Sequence, residues 1–132
     1  MRLDHIGIAV SDLQAAEVLY TAALGGAVAS REELADERVR VVFIELDGAL
    51  LELLAPTDDE GPLARFLRSR GEGLHHLAFE VPDLTATLRE AAASGMRAVD
   101  PHPRRGARGR LIAFLHPSAA RSVLVELVQR PS

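Results

Sequence analysis

Hydrophobic and polar residues alternate over positions 3–10, which predicts a β-strand. Apolar residues then recur at helical spacing over 13–23 and predict a helix that ends at the Gly25-Gly26 pair. Two further apolar runs, 39–46 and 50–54, lie on either side of an Asp-Gly dipeptide and predict a β-hairpin. The first part of the chain is therefore predicted to form a strand, a helix and then several strands.

The same pattern occurs twice. Residues 74–84 match residues 3–13 at an offset of 71 positions, and residues 124–128 match residues 50–54 at an offset of 74. The second copy therefore carries about three extra residues, which we place near 116–118. A single internal duplication of this kind predicts two structurally similar halves.

The second half shows the same order of elements. Residues 84–92 have helical spacing and end at Gly95, and strands are predicted over 111–115 and 123–128. Between the halves, a polar linker leads into a short helix over 62–67, which begins with a proline. Each half is thus predicted to be a module of the βαβββ kind.

Composition limits the chemistry. The chain of 132 residues contains no cysteine and no lysine, which excludes disulfides, thiolate ligands, a lysine Schiff base and a P-loop lysine. The net charge of -4 and the few aromatic residues disfavour nucleic-acid binding. No apolar run is long enough to cross a membrane, and the charged start of the chain is unlike a signal peptide. We expect a cytoplasmic protein.

The duplication places polar residues at matching positions of predicted strands. His5 matches His76, and Glu52 matches Glu126. Each histidine shares its strand face with small residues, whereas each glutamate lies among aliphatic ones, where a carboxylate is costly unless it is paired, protonated or metal-bound. Two imidazoles and two carboxylates are a donor set suited to Mn²⁺, Fe²⁺, Co²⁺, Ni²⁺ or Zn²⁺. We therefore predict one divalent-metal site built from all four residues.

This site completes the expected architecture. The predicted fold is α+β, with two tandem βαβββ modules forming a curved mixed sheet around a shared metal site. We expect a single domain over 1–132, with module one at about 1–56, a linker and short helix at about 57–71, and module two at about 72–130.

Other polar residues have simpler interpretations. His75 faces away from His76 on its strand and is predicted to be structural or solvated, and His102 lies in a loop. His116 precedes a proline at a strand end, where a turn role is expected. The arginine-rich loop at 104–110 fits either phosphate binding or a solvated loop.

The sequence resembles the methylmalonyl-CoA epimerases of the vicinal oxygen chelate superfamily over essentially its whole length. The resemblance is carried by Leu3-Asp4-His5-Ile6-Gly7-Ile8-Ala9-Val10, Leu51-Glu52-Leu53-Leu54-Ala55-Pro56, Gly73-Leu74-His75-His76-Leu77-Ala78-Phe79, Ile112-Ala113-Phe114-Leu115-His116-Pro117 and Val123-Leu124-Val125-Glu126-Leu127. It implies a divalent-metal epimerase that acts on an acyl-CoA thioester, with the same four residues as metal ligands, and modules of this kind often form homodimers.

The resemblance also implies roles for the carboxylates. Glu126 is the expected catalytic base, and Glu52 is a ligand that shares this role. Some family members carry a further glutamate as base, at a position that Val41 occupies here. Glu45 lies on the same strand face two residues later.

Two alternative functions stay open at this point. One is a glyoxalase-like isomerase or lyase that uses the same metal site on another small substrate. The other is a non-catalytic binding protein like those of bleomycin resistance. Such binders need none of the four ligand residues, and this chain has all four.

Overall fold

The computed structural model describes residues 1–100 and 102–132. Its strands are β1 (Arg2–Ala9), β2 (Ala27–Leu34), β3 (Val39–Leu46), β4 (Ala49–Pro56), β5 (Gly73–Val81), β6 (Arg104–Arg105), β7 (Leu111–Leu115) and β8 (Val125–Gln129). Its α-helices are α1 (Leu13–Val18), which a π-helical turn at Leu19–Ala23 continues, α2 (Pro62–Arg70) and α3 (Leu84–Ala93). Short 3₁₀ turns lie at Ala35–Glu37, Ala107–Gly109 and Pro117–Ala120. Contacts divide the chain into two compact units, His5–His75 and Met1–Asp4 with His76–Ser132.

In the unit His5–His75 the strands are ordered β2-β3-β4-β1. The pair β1–β4 is parallel and the other two pairs are antiparallel. The carboxylate of Asp12 accepts a hydrogen bond from the backbone N–H of Ala15 at 3.0 Å, which caps α1. The helix packs on one face of the sheet, against Val42, Ile44 and Leu53. The opposite face of these strands is the one that carries the candidate ligands.

In the other unit the strands are ordered β5-β8-β7-β6, with β5–β8 parallel and the other pairs antiparallel. Asp83 caps α3 by accepting from the N–H of Ala86 at 3.1 Å, as Asp12 does for α1. The core of this unit lies between α3 and the sheet and contains Val81, Leu84, Ala113, Leu115 and Leu127. The two units thus share the order of elements and the cap residue.

The predicted α+β class, with two βαβββ modules and mixed strand pairing, is confirmed. The second strand of each module, β2 or β6, was not located from the sequence because both are polar edge strands without an apolar run. The last strand begins at Val125 rather than Val123, because Arg121 and Ser122 have φ angles of 57° and 72° and interrupt the extended backbone. None of the helices in the described part of the chain combines the length and hydropathy that a bilayer crossing needs.

Candidate metal centre

In the first module, strand pairing brings His5 and Glu52 together. Gly7 of β1 lies directly beside Glu52 of β4, and His5 precedes Gly7 by two residues, so both side chains point to the same face of the sheet. The Nε2 atom of His5 lies 3.2 Å from Oε1 of Glu52. Both residues are buried, with 3% and 4% of their surface exposed. Two residues that are 47 positions apart in sequence therefore form one buried pair.

The second module builds the same pair in the same way. Ala78 of β5 lies beside Glu126 of β8 in parallel register, and His76 precedes Ala78 by two residues. Nε2 of His76 lies 3.4 Å from Oε1 of Glu126, and both residues are buried. Gly7 and Ala78 are the small residues that leave space beside each histidine, as the sequence pattern predicted.

An aromatic residue accompanies each pair. Phe43 lies opposite Glu52 in the β3–β4 ladder, and its ring makes a T-shaped contact with His5 at a centroid distance of 5.3 Å. Phe114 lies opposite Glu126 and contacts His76 in the same geometry at 5.7 Å. These contacts fix the plane of each imidazole and so orient its Nε2. Neither ring was predicted from the sequence as part of the site, although Phe114 follows Phe43 by the same 71 residues that separate the histidines.

The four predicted ligands form one group that could hold a metal ion. One donor atom from each of His5, Glu52, His76 and Glu126 lies within 4.8 Å of every other. With metal–ligand distances of about 2.1 Å, neighbouring ligand atoms are about 3.0–3.4 Å apart and opposite ones about 4.2 Å. The His–Glu distances of 3.2 and 3.4 Å already fit neighbouring ligands. A small inward movement of the side chains would complete the set, so the residues present fit a divalent metal of the kind that nitrogen and carboxylate donors bind.

The remaining histidines are not part of this group. His75 packs edge-on against Phe66 at a centroid distance of 4.8 Å, which supports its predicted structural role. His116 caps the turn that follows β7, since its Nδ1 accepts a hydrogen bond from the backbone N–H of Ser118 at 3.2 Å. His102 is exposed.

Val41 and Glu45, the two positions considered for a further catalytic base, differ in their exposure to solvent. Val41 is buried at 1% exposure, whereas Glu45 is exposed near the end of β3. Glu45 shares the row of Leu50, close to the turn between β3 and β4.

The arginine-rich loop is largely engaged with carboxylates of its own unit. Arg108 and Arg110 both pair with Asp4, and Arg110 also lies 3.1 Å from Glu80. The side chain of Arg104 donates to Asp100 and lies 5.8 Å from the ring centroid of Phe114. Most arginines of the loop therefore stabilise the fold of their own unit. The side chain of Arg105 is the one that lies at an exposed position, where it donates to the carbonyl of Gly109 at 2.7 Å.

A groove of about 720 Å³ lies in the first unit on the helix side of the sheet, away from His5 and Glu52. Arg31 and Glu17, which line it, form two hydrogen bonds of 2.8 Å. The hydrogen bonds from Arg31 lower the pKa of Glu17, partial burial opposes this change, and the charge of Arg31 adds to it. The groove therefore carries a structural ion pair rather than a metal-ligand cluster.

Comparison with known proteins gives a consistent result. Residues 4–114 match the family described as Glyoxalase/Bleomycin resistance protein/Dioxygenase superfamily. The chain is 38% identical over 130 residues to the ethylmalonyl-CoA/methylmalonyl-CoA epimerase of Cereibacter sphaeroides, and the match covers 97% of both chains.

Two solved structures agree over nearly the whole fold. The methylmalonyl-CoA epimerase of Mycobacterium tuberculosis matches with a TM-score of 0.94 at 38% identity, covering 99% of this chain and 89% of the other. The enzyme of Streptomyces coelicolor, in complex with 2-nitronate-propionyl-CoA, matches with a TM-score of 0.94 at 37% identity, covering 100% of this chain and 99% of the other. The chain therefore belongs to the glyoxalase/bleomycin resistance protein/dioxygenase superfamily and, within it, to the methylmalonyl-CoA epimerase family.

Proposed function

We propose that the protein is a divalent-metal-dependent epimerase that interconverts the 2-epimers of methylmalonyl-CoA. The observation that carries the proposal is the buried group of His5, Glu52, His76 and Glu126, at matching positions of two modules. Membership of the epimerase family supports the substrate, since the Streptomyces coelicolor relative is complexed with a nitronate analogue of an acyl-CoA.

The reaction requires a proton to leave the carbon between a thioester and a carboxylate and to return on the opposite side. A bound divalent metal would supply Lewis-acid stabilisation of the negative charge that develops when the proton leaves. His5 and His76 would hold this ion through Nε2, with each ring oriented by its phenylalanine. Co²⁺, Mn²⁺, Ni²⁺, Zn²⁺ and Fe²⁺ all suit the donor set.

The two carboxylates have related roles in this proposal. Glu126 accepts the proton from the substrate, and Glu52 binds the metal and shares the proton transfer. Both are buried at 6% exposure or less, so they would work in a site shielded from bulk water, where a fixed carboxylate interacts strongly with developing charge.

Solvent-deuterium incorporation at C2 of methylmalonyl-CoA, followed by NMR with the Co²⁺-loaded protein, tests this function. We expect exchange at enzymatic rates in the wild type and its loss in Glu126→Gln, whose amide oxygen still reaches the metal but is not a base. The cobalt content of both proteins, measured in parallel, separates loss of the base from loss of the ion. A folded, cobalt-loaded wild type without exchange would contradict the epimerase and favour a glyoxalase-like isomerase or lyase.

The four buried ligand residues also favour an enzyme over a metal-free binding protein of the bleomycin-resistance kind. A binder gains nothing from burying two histidines and two glutamates, because each must be desolvated without a compensating ion. Failure of the purified protein to take up any of the five metals would restore the binding-protein alternative.

For recognition of the coenzyme A phosphates, we propose Arg105. Arg108 and Arg110 are already paired with carboxylates, whereas Arg105 lies at an exposed position of the same loop. Replacing Arg105 by Ala is expected to raise KM severalfold and leave kcat and metal affinity unchanged, because a phosphate contact far from C2 contributes binding only. An unchanged KM would remove this role.

We further propose that the protein acts in the cytoplasm as a single-domain chain that forms a homodimer. Val18, Leu19 and Leu24 support a dimer, since each is more than half exposed on the short segment formed by α1 and the turn after it. Light scattering coupled to size-exclusion chromatography would give the mass of a dimer. A monomer mass at micromolar concentration would contradict it.

A further inference from the structure

Epimerisation needs a proton-transfer group on each side of the substrate carbon, and a carboxylate bound to a metal is weakened as a base because the ion competes with the proton for its lone pairs. In the proposed site both Glu52 and Glu126 are metal ligands. A carboxylate that is not a ligand, but faces the same space, would therefore be a stronger base than Glu52 for the second proton transfer.

The pairing of β2 with β3 places such a carboxylate on the ligand face of the first unit. Glu32 lies directly opposite Val41, and Val41 lies directly opposite Leu54, which shares its face with Glu52. Directly opposed residues of antiparallel strands point to the same side of the sheet. Glu32 therefore shares the face of Glu52 and lies beside Val41 of the adjacent strand.

A β-bulge is what gives Glu32 this direction. The β2–β3 register shifts by one residue between Val28 and Ser30, so one extra residue is inserted in β2 before Glu32. Without the shift, Arg31 would lie opposite Val41, and Glu32 would point to the helix side. Bulges are common next to active sites, where they redirect a side chain.

The neighbours of Glu32 confirm the two directions. Arg31 extends to Glu17 of α1 on the helix side, and Glu33 pairs with Arg40 at 3.0 Å in an exposed position. Glu32, between them, is half-buried. Glu32 and Glu45 are described acidic residues on the ligand face of β2 and β3, and Glu32 is the less exposed of the two.

The distance between strands β2 and β4 suits a role of Glu32 in proton transfer to a bound molecule rather than in metal ligation. The backbones of β2 and β4 are two strand spacings, or about 10 Å, apart. This leaves room for a substrate held between Glu32 and Glu52. The side chain of Val41, in the strand between them, is short and carries no charge, so it does not compete for the proton.

We propose that Glu32 is the proton-transfer residue on one side of the substrate, and this rests on the proposed epimerase function. The Glu32 carboxylate takes the proton from C2, the electrons of the C–H bond move to the thioester oxygen to give the enolate, and protonated Glu126 returns a proton to the opposite side of C2. In the reverse reaction the two carboxyl groups exchange roles. Each turnover moves one proton from C2 to Glu32 and one from Glu126 to C2, and proton exchange with water restores both carboxyl groups before the next turnover in the same direction.

The test is deuterium exchange started separately from the 2R and the 2S epimer, using the Co²⁺-loaded wild type, Glu32→Gln and the matched control Glu33→Gln. For Glu32→Gln we expect interconversion to fall about 10²–10⁴-fold. One epimer should still exchange its C2 proton without inversion, through Glu126, while exchange of the other epimer is lost. The Kd values for Co²⁺ and for 2-nitronate-propionyl-CoA should not change, and Glu33→Gln should behave as the wild type.

Other results would contradict this role of Glu32. If Glu32→Gln interconverts both epimers at the wild-type rate, Glu32 transfers no proton. If exchange of both epimers falls together with affinity for the analogue, its role is structural, and the inference is wrong. A wild type that exchanges neither epimer would refute the proposed function, and this inference with it. As a second variant, Glu32→Gln combined with Val41→Glu should restore exchange of the lost epimer if the missing carboxylate is the cause.

Discussion

Metal binding should stabilise the folded protein by an amount that depends equally on the two modules. The donor atoms of His5, Glu52, His76 and Glu126 come together only in the folded chain, so the ion binds the native state and not the unfolded one. At a free metal concentration of 100 times Kd, the gain is about 2.7 kcal/mol. A chain of 132 residues has an unfolding entropy of about 0.28 kcal/mol per kelvin, so Tm should rise by about 10 °C.

Removal of one ligand should reduce this shift by the same amount in either module. His5→Gln and His76→Gln each delete one buried imidazole from equivalent positions. If the loss of one ligand weakens binding about 100-fold, the same metal concentration equals the new Kd and the gain falls to about 0.4 kcal/mol, a Tm shift of about 1–2 °C. His102→Gln, at an exposed position, should keep the full shift.

The assay is differential scanning calorimetry of each protein, first treated with a chelator and then titrated with Co²⁺ or Mn²⁺. The reasoning would be refuted if His5→Gln lost the shift and His76→Gln kept it, because the ion would then belong to one module. It would also be refuted if both variants kept a shift near 10 °C, since neither imidazole would then contribute to binding.

Other predictions concern stability away from the metal. Gly26→Ala should destabilise the fold by about 1–3 kcal/mol in urea unfolding, because a Cβ there would lie 2.5 Å from Cγ2 of Ile44 and 2.7 Å from a backbone carbonyl oxygen; an unchanged midpoint would contradict this packing. Ser122→Gly should raise the free energy of unfolding by up to about 1 kcal/mol, because φ of 72° is strained for serine; a loss of stability would show that the hydroxyl contributes more than the strain costs. The pKa of Glu17 is lowered in the folded state by Arg31, so their pair stabilises above the ordinary pKa of 4.5 and loses its effect as pH falls through the folded value. Glu17→Gln should thus cost less than about 1 kcal/mol at pH 7 and nothing at strongly acidic pH, as measured by urea unfolding at both.

The sequence predicted which four polar residues come together because the duplication repeats chemistry as well as pattern. His5 alone is a buried strand histidine with many possible explanations, but His76 stands at the matching position and both pair with a glutamate. The predicted faces of β1 are also the observed ones, since Ile8 packs toward α1 while His5 lies on the other face. Alternation along a strand was sufficient for this prediction, because a strand has only two faces.

The face of Glu32 could not be predicted in this way. Strand β2 has polar or small residues on both faces, so its sequence pattern does not show which face points to the core. The bulge after Val28 then exchanges the two faces for all later residues of the strand. The position of a bulge depends on pairing with β3, which is a tertiary property. A residue in such a strand becomes a candidate for function only when the register is known.

The extra residues of the second module show why the turn between β7 and β8 can vary without moving the candidate metal ligands. Phe43 and Glu52 are nine residues apart, and Phe114 and Glu126 are twelve apart, yet each pair lies directly opposite in its ladder. The three additional residues are therefore absorbed by the turn between β7 and β8, which contains His116, and they do not shift the rows of the ligands. In each module the histidine and the glutamate come from strands paired in parallel, so their contact does not depend on the length of that turn. A turn of this kind can change in length and side chains while the donor atoms stay in place.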